Sequence, residues 1–320
     1  MSATTTLDIP QPASCSALSS ASLSPLSFAG LTGESTPLSF ACDGLTGEST
    51  SCTLQTVIVP WRVSERVREL LAVPQRWKVI QRFNQGILLV TTDEDEVLFI
   101  GSDETSAGPF NIQIPLAGLQ QLKNCGNYAV CDGSGSLFMD RFCLITRAVC
   151  GYSTTAPNLN QKQQRFLLAQ LSAYLKTCTE QSGFNQFFGE VPPAALYSLL
   201  RPIYLSRGLR GFTSFLLGRG LGLTPSGDDF LVGMLAVMSQ QSLANQVLQQ
   251  AQCKNATGVV SRGFFNAAAQ RHFNEDICLM LHAAINSDAA RLLRLFDRIK
   301  KQGHSSGLDL LAGVQFGLCM

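Results

Sequence analysis

Two stretches of this chain hold residues whose types and spacing could do chemistry. GRGLGLTPSGDDFLVGML runs from Gly218 to Leu235, and GHSSGLDLLAGVQFGL runs from Gly303 to Leu318. They align on a shared core. Ser226 matches Ser306, Gly227 matches Gly307, Asp229 matches Asp309 and Gly233 matches Gly313. The apolar positions Phe230, Leu231, Met234 and Met238 match Leu310, Leu311, Val314 and Leu318. Such spacing falls on one helical face. Each stretch therefore predicts a loop, a Ser-Gly step, an Asp in the first turn and a core-facing helix.

A helix start presents unpaired N–H groups and partial positive charge, and a Gly-rich loop lets backbone approach a ligand closely. Together they make an anion site. Gly220, Gly222, Thr224, Ser226 and Gly227 in the first stretch, with Ser305, Ser306 and Gly307 in the second, are the candidate anion-binding residues. Arg219 offers a guanidinium fork for a phosphate or carboxylate. His304 offers a proton carrier, and Asp228, Asp229 and Asp309 offer carboxyls. One or two of these carboxylates, with substrate oxygens, also suit Mg²⁺; no other cofactor is indicated. The simpler reading is that Ser226 and Ser306 are N-caps and the acids favour the helix start. The two readings diverge on one point: a shared site requires the two helix starts to converge.

Competing motifs fit less well. No Gly-Lys-Ser/Thr follows the glycines, so this is not a phosphate loop of the Walker type. No βαβ unit surrounds them, as a dinucleotide fold would require. His304 with Ser305, Ser306 and Asp309 is too compact in sequence for a hydrolase triad.

The elements that position these stretches fall into blocks. Residues 1–53 are rich in Ser, Thr, Gly and Pro and contain a tandem copy, PLSFAGLTGEST followed by PLSFACDGLTGEST. This composition buries little apolar surface and reads as a disordered extension. Over 54–157 short β-rich runs recur, among them LQTVIV, GILLVTT and EVLFIGS, with TTDEDE as a hairpin turn and one helix near Val63–Leu71. Over 158–320 the spacing turns helical, with helices expected at Ala194–Tyr204, Gly227–Met238, Leu243–Ala251, Phe264–Gln270, Ile277–Ile285, Asp288–Ile299 and from Gly307. Strands then helices in blocks predict an α+β protein: a mostly antiparallel sheet or small barrel, then a helical domain.

Bulk composition narrows the function classes. Lys plus Arg is 24 against 23 Asp plus Glu, a net charge of +1. Nothing at that level draws the chain to nucleic acid or an acidic membrane. Eleven cysteines show no CxxC pair and no zinc spacing, so reduced thiols are expected. No charged leader and no long apolar run is present, which makes the cytoplasm the expected compartment.

The motif GLGLTPSGDDFLVGML resembles that of a bacterial family associated with a subunit of oxamate carbamoyltransferase, in anaerobic allantoin degradation. TGVVSRGFFNAAAQRHFNE, GHSSGLDLLAGVQFGL and the GPFNIQIP turn from Gly108 also resemble that family. The resemblance runs from about Leu54 onward. The family usually carries Gly within the segment that is Ala269–His272 here. It implies the reaction of oxalurate and phosphate to oxamate and carbamoyl phosphate, in a complex with other carbamoyltransferase subunits. In such a reaction, donors fixed around the developing charge would stabilise the transition state. The loop N–H groups, Thr224, Ser226 and Ser306 suit that task, with Thr257, Ser261 and Arg262 as added polar contacts. Two other readings stay open: a non-catalytic structural or regulatory subunit, and an unrelated phosphate-ester or carboxylate enzyme on the same scaffold.

Overall fold

The computed structural model describes residues 56–93, 95–102, 107–147, 149–253 and 256–320. The extension 1–53 with its tandem copy lies outside them. A curled, mixed ten-stranded sheet precedes a helical region, the α+β arrangement expected.

The strands are β1 (Thr56–Ile58), β2 (Arg62–Ser64), β3 (Gln75–Phe83), β4 (Gly86–Thr91) and β5 (Val97–Ser102). They continue as β6 (Asn111–Ile114), β7 (Tyr128–Cys131), β8 (Ser136–Met139), β9 (Phe142–Ile145) and β10 (Cys150–Tyr152). Two short helices lie among them, α1 (Glu65–Leu70) and α2 (Leu116–Leu122). Helix α1 stands where the spacing predicts it, capped by Ser64, whose hydroxyl accepts from Val67 N–H. Helix α2 was not anticipated; the run NIQIPL reads as strand, and Pro115 ends it.

Strand order is β1-β9-β8-β7-β3-β4-β5-β6-β2-β10. Six of the nine pairings are antiparallel; β1 with β9, β5 with β6 and β2 with β10 are parallel. The order dictates the curl. Strands β1 and β2 hold the first and ninth places, yet only residues 59–61 separate them. Four Cα steps span at most about 15 Å. Eight strand spacings in a flat sheet would span about 38 Å. The two ends must therefore bend toward each other, giving a half-barrel. Strand β4 is buried along its whole length, as both its faces are covered.

The helices are α3 (Gln161–Leu175), α4 (Asn185–Phe188), α5 (Leu196–Leu216), α6 (Ser226–Val237) and α7 (Gln241–Ala251). They continue as α8 (Val259–Ala269), α9 (Glu275–Ile285), α10 (Ala289–Lys300) and α11 (Ser306–Leu318). Helix α5 runs past the expected end at Tyr204. It tolerates Pro202 and bends at Gly208, where φ is 64°. Helices α6 and α11 are buried along nearly their whole length and form the centre of the bundle.

The sheet is tied to the bundle by polar links across long sequence distances. Arg62 of β2 pairs with Glu275 at 2.5 Å, and Arg66 of α1 reaches Gln270 and Glu96. At the turn between α8 and α9, Arg271 takes a left-handed φ of 64°. Its guanidinium donates to the carbonyls of Leu235 and Ala236, the last turn of α6. A cation there complements the helix dipole. Arg271 thereby anchors the helix that carries Asp229 at its other end.

Candidate functional site

The two helix starts converge. Helices α6 and α11 run side by side in parallel, and their glycines set the spacing. A Cβ on Gly233 would lie 2.0 Å from the Leu310 carbonyl oxygen, and one on Gly313 would lie 1.9 Å from that of Phe230. Residues 230 and 310 are equivalents, as are 233 and 313, so the contact is reciprocal. The same reciprocity governs the polar ends. Ser226 faces Asp309, and Ser306 faces Asp229.

Neither serine is the cap that its position in sequence suggests. The cap positions are Pro225 and Ser305, without side-chain capping bonds, and Ser226 and Ser306 are the first helical residues. Proline sets the extended backbone before α6 but offers no hydroxyl. Both serine hydroxyls are thus directed across the pair rather than onto their own helices. The first-turn N–H groups are also engaged. Gly227 donates to Arg219, Asp228 and Asp229 donate to Pro225, Gly307 donates to Gln302, and Leu308 and Asp309 donate to Ser305. What the helix starts present is therefore chiefly hydroxyls and carboxyls. Gly227 and Gly307 serve packing: a Cβ at either would meet a carbonyl of the preceding helix, Leu216 or Ile299, at 1.9 Å.

Around this pair the other sequence candidates separate. Asp228 accepts from Gly218 N–H at 2.8 Å and from the Thr257 hydroxyl, with Ser261 beside it. It ties the Gly-rich loop and α8 to α6. Gly220 and Gly222 both take positive φ, 127° and 97°, as a loop of this curvature requires. Arg219 lies over the rings of Phe215 and Phe187, 4.0 and 5.2 Å from their centroids, and donates to the Phe215 carbonyl. Arg262 donates to the Thr257 carbonyl. His304 is exposed and lines neither of the cavities described below. Among the described residues no three His, Cys, Asp or Glu side chains gather in one group, and the Mg²⁺ expectation asks for only one or two carboxylates with substrate oxygens. Asp228 is committed to Gly218 and Thr257, and Asp309 to Ser182 and Gly183.

The carboxyls of Asp229 and Asp309 are equivalent in sequence but not in surroundings. Asp309 is fully buried. Its oxygens accept from the Ser182 hydroxyl at 2.5 Å and from Gly183 N–H at 3.3 Å, with Ser226 and Ser305 also against it. Asp229 has the matching hydroxyl across the pair, Ser306, and one from its own approach loop, Thr224. Among the described residues it has no counterpart of Ser182 and Gly183. Its Oδ2 is buried without a hydrogen-bond partner among the described residues. Burial raises both acids above the ordinary carboxylate range, Asp229 strongly, and for Asp229 the nearby Asp309 adds to the effect.

Where Asp309 meets Ser182 and Gly183, Asp229 faces a cavity. This space of about 200 Å³ is lined by Thr224, Asp229, Gly233, Asn274, Gln302 and Ser306 among others. It shares Thr224, Phe264, Asn274, Gln302 and Gly303 with a larger cleft of about 1010 Å³ between sheet and helices. The cleft carries cationic side chains from both walls, Arg62, Arg298 and Lys301, of which Arg62 and Arg298 pair with Glu275 and Asp276. Asn111 and Gln113 of β6 line it too, and both are buried. The sequence reading missed these residues. The alternation of NIQIP was the available signal, since two polar residues recur on one face of an otherwise apolar strand.

No solved structure matches the chain. The model of the family described as oxamate carbamoyltransferase subunit AllH matches residues 216–318. Every residue lining the inner cavity lies within that segment. Over these residues, from the end of α5 through α11, the chain matches the oxamate carbamoyltransferase subunit family that its motifs resemble.

Proposed function

We propose that this chain is a subunit of an oxamate carbamoyltransferase and that the cleft ending at the paired helix starts binds the substrate. One observation carries the reading: the family match coincides with the residues that build the inner cavity. The chemistry is consistent with the site. In the proposed reaction a phosphate oxygen attacks the carbamoyl carbon of oxalurate. The bond from that carbon to the amide nitrogen of the oxamate part breaks, and the nitrogen takes up the proton that the phosphate loses. Carbamoyl phosphate and oxamate result. Both reactants are anions, and Arg298 and Lys301 in the cleft supply the cationic partners such groups need. Donors and acceptors around Asp229, Thr224 and Ser306 then hold the uncharged end.

A second reading is favoured by the loop. Leu221 and Leu223 are 76% and 44% exposed, and apolar side chains at a loop tip suit a partner subunit. On that reading the chain organises a complex whose chemistry lies elsewhere. Reconstitution with the partner subunits separates the two. Measured as carbamoyl phosphate formation, Asp229→Ala is expected to lower the rate about a hundredfold, and Arg298→Ala to raise KM. Wild-type kinetics in both variants, with complex formation intact, would leave only the organising role.

A further inference from the structure

The internal repeat gives the inner cavity a built-in template. Asp309 and Asp229 start from equivalent positions and each keeps two hydroxyl neighbours: Ser226 and Ser305 for one, Ser306 and Thr224 for the other, of which Ser226 and Ser306 are equivalents. The difference lies in what fills the remaining side. At Asp309 it is the segment Ser182–Gly183, which presents one O–H and one backbone N–H to the two carboxyl oxygens. This segment is fitted closely. Ser182 is 2% exposed, and a Cβ on Gly183 would lie 1.9 Å from Ser226 Oγ and 3.0 Å from Asp309 Oδ2. Phe184 holds it in the core, packed edge-on against Phe230 at 5.8 Å. At Asp229 the corresponding side is the cavity of about 200 Å³. Asp229 is 9% exposed and its Oδ2 has no partner among the described residues.

We infer that the Asp229 carboxyl is the seat for the N–H donors of a bound ligand, of the kind carried by a terminal amide or a ureido group. The ligand supplies to Asp229 what the Ser182 hydroxyl and Gly183 N–H supply to Asp309: donors to the carboxyl oxygens. An anionic group does not belong at this end, where the cavity lining carries no cationic side chain. It belongs toward Arg298 and Lys301. The assignment rests on the reading of the cleft as the substrate site and adds the orientation of the ligand within it.

Two probes of equal charge and nearly equal shape isolate the donor: N-methyloxamate and monomethyl oxalate, which differ by N–H against O. Each is titrated calorimetrically into the full chain in the assembled enzyme. N-methyloxamate is expected to bind about tenfold tighter, the range for one hydrogen bond to a charged or buried acceptor. In Asp229→Ala the difference disappears, while Arg298→Ala weakens both probes alike. Asp229→Asn, close in size, is the second variant and narrows the difference about threefold. Equal binding of both probes to the wild type overturns the Asp229 assignment. If Arg298→Ala still weakens them, the cleft reading survives that result. No binding of either probe at millimolar concentration overturns the cleft reading and the assignment together.

Discussion

Asp229 and Asp309 occupy the same place in two copies of one motif, and the protein treats them differently. Around Asp309 the chain has closed the site with its own backbone. Around Asp229 it has left a cavity that opens into the cleft. A repeated motif therefore does not make a repeated site; the segment packed against each copy decides. The matched helix starts supply a rigid frame, packed so closely through Gly233 and Gly313 that neither position has room for a Cβ. The asymmetry is supplied from elsewhere, by Ser182 and Gly183 more than 100 residues from Asp309 in sequence.

The comparison can be broken most severely at the closed copy. Asp309→Ala removes the acceptor for two buried donors, and Gly183→Ala drives a methyl group into Ser226. Each is expected to cost about 3 kcal/mol or more in chemical denaturation. Asp229→Ala is expected to cost less than about 1 kcal/mol, because no buried N–H depends on it. Equal losses at the two aspartates would show that the copies are alike in energy, contrary to their geometry.

A finer effect follows from pH. Burial raises the Asp229 carboxyl above its ordinary value of 3.8, so the folded state favours the neutral form. Its contribution to stability is full below 3.8 and is lost as pH rises through the folded-state value. Asp228 and Asp309 shift in the same direction and are common to wild type and variant. Thermal unfolding between about pH 4 and 8 is expected to show Asp229→Asn gaining on the wild type as pH rises. A constant gap across that range would mean that Asp229 titrates normally in the fold.

The smallest effect is expected at Arg219. Its stacking over Phe215 and Phe187 is worth about 0.5–1 kcal/mol, and it lies outside the cavity lining. Arg219→Ala should leave carbamoyl phosphate formation within about twofold of wild type, an effect too small for a transition-state contact. A large loss of rate would return Arg219 to the site.

Much of this arrangement was legible in the sequence, and the reasons for the rest are physical. Apolar spacing marked α6 through α11 because each buries one stripe or more. The TTDEDE turn marked the β4–β5 hairpin, a local pairing. The shared Ser-Gly-x-Asp spacing marked the two helix starts, and they do meet. The serines misled, because a Ser before an apolar run is the usual sign of a cap, and nothing local shows that Pro225 and Ser305 take that position. The parallel pairing of β1 with β9 was hidden because the two strands lie more than 80 residues apart. The partner of Asp309 was hidden for the same reason. Its one signal was a further Ser-Gly step, Ser182–Gly183, in a stretch with no helical period. Arg62 and Glu275 likewise meet only in the folded chain, 213 residues apart.

The strand order also has a consequence for how the protein is made. β1 and β2 come first among the described strands, yet their neighbours are β9 on one side and β6 and β10 on the other. During synthesis, Thr56–Ile58 cannot complete its ladder until Phe142–Leu144 has left the ribosome, and Arg62–Ser64 must wait for Cys150–Tyr152. Pairings this distant in sequence form slowly and leave strand edges open in the meantime. The half-barrel is thus the part of the molecule most exposed to misassembly on a nascent chain.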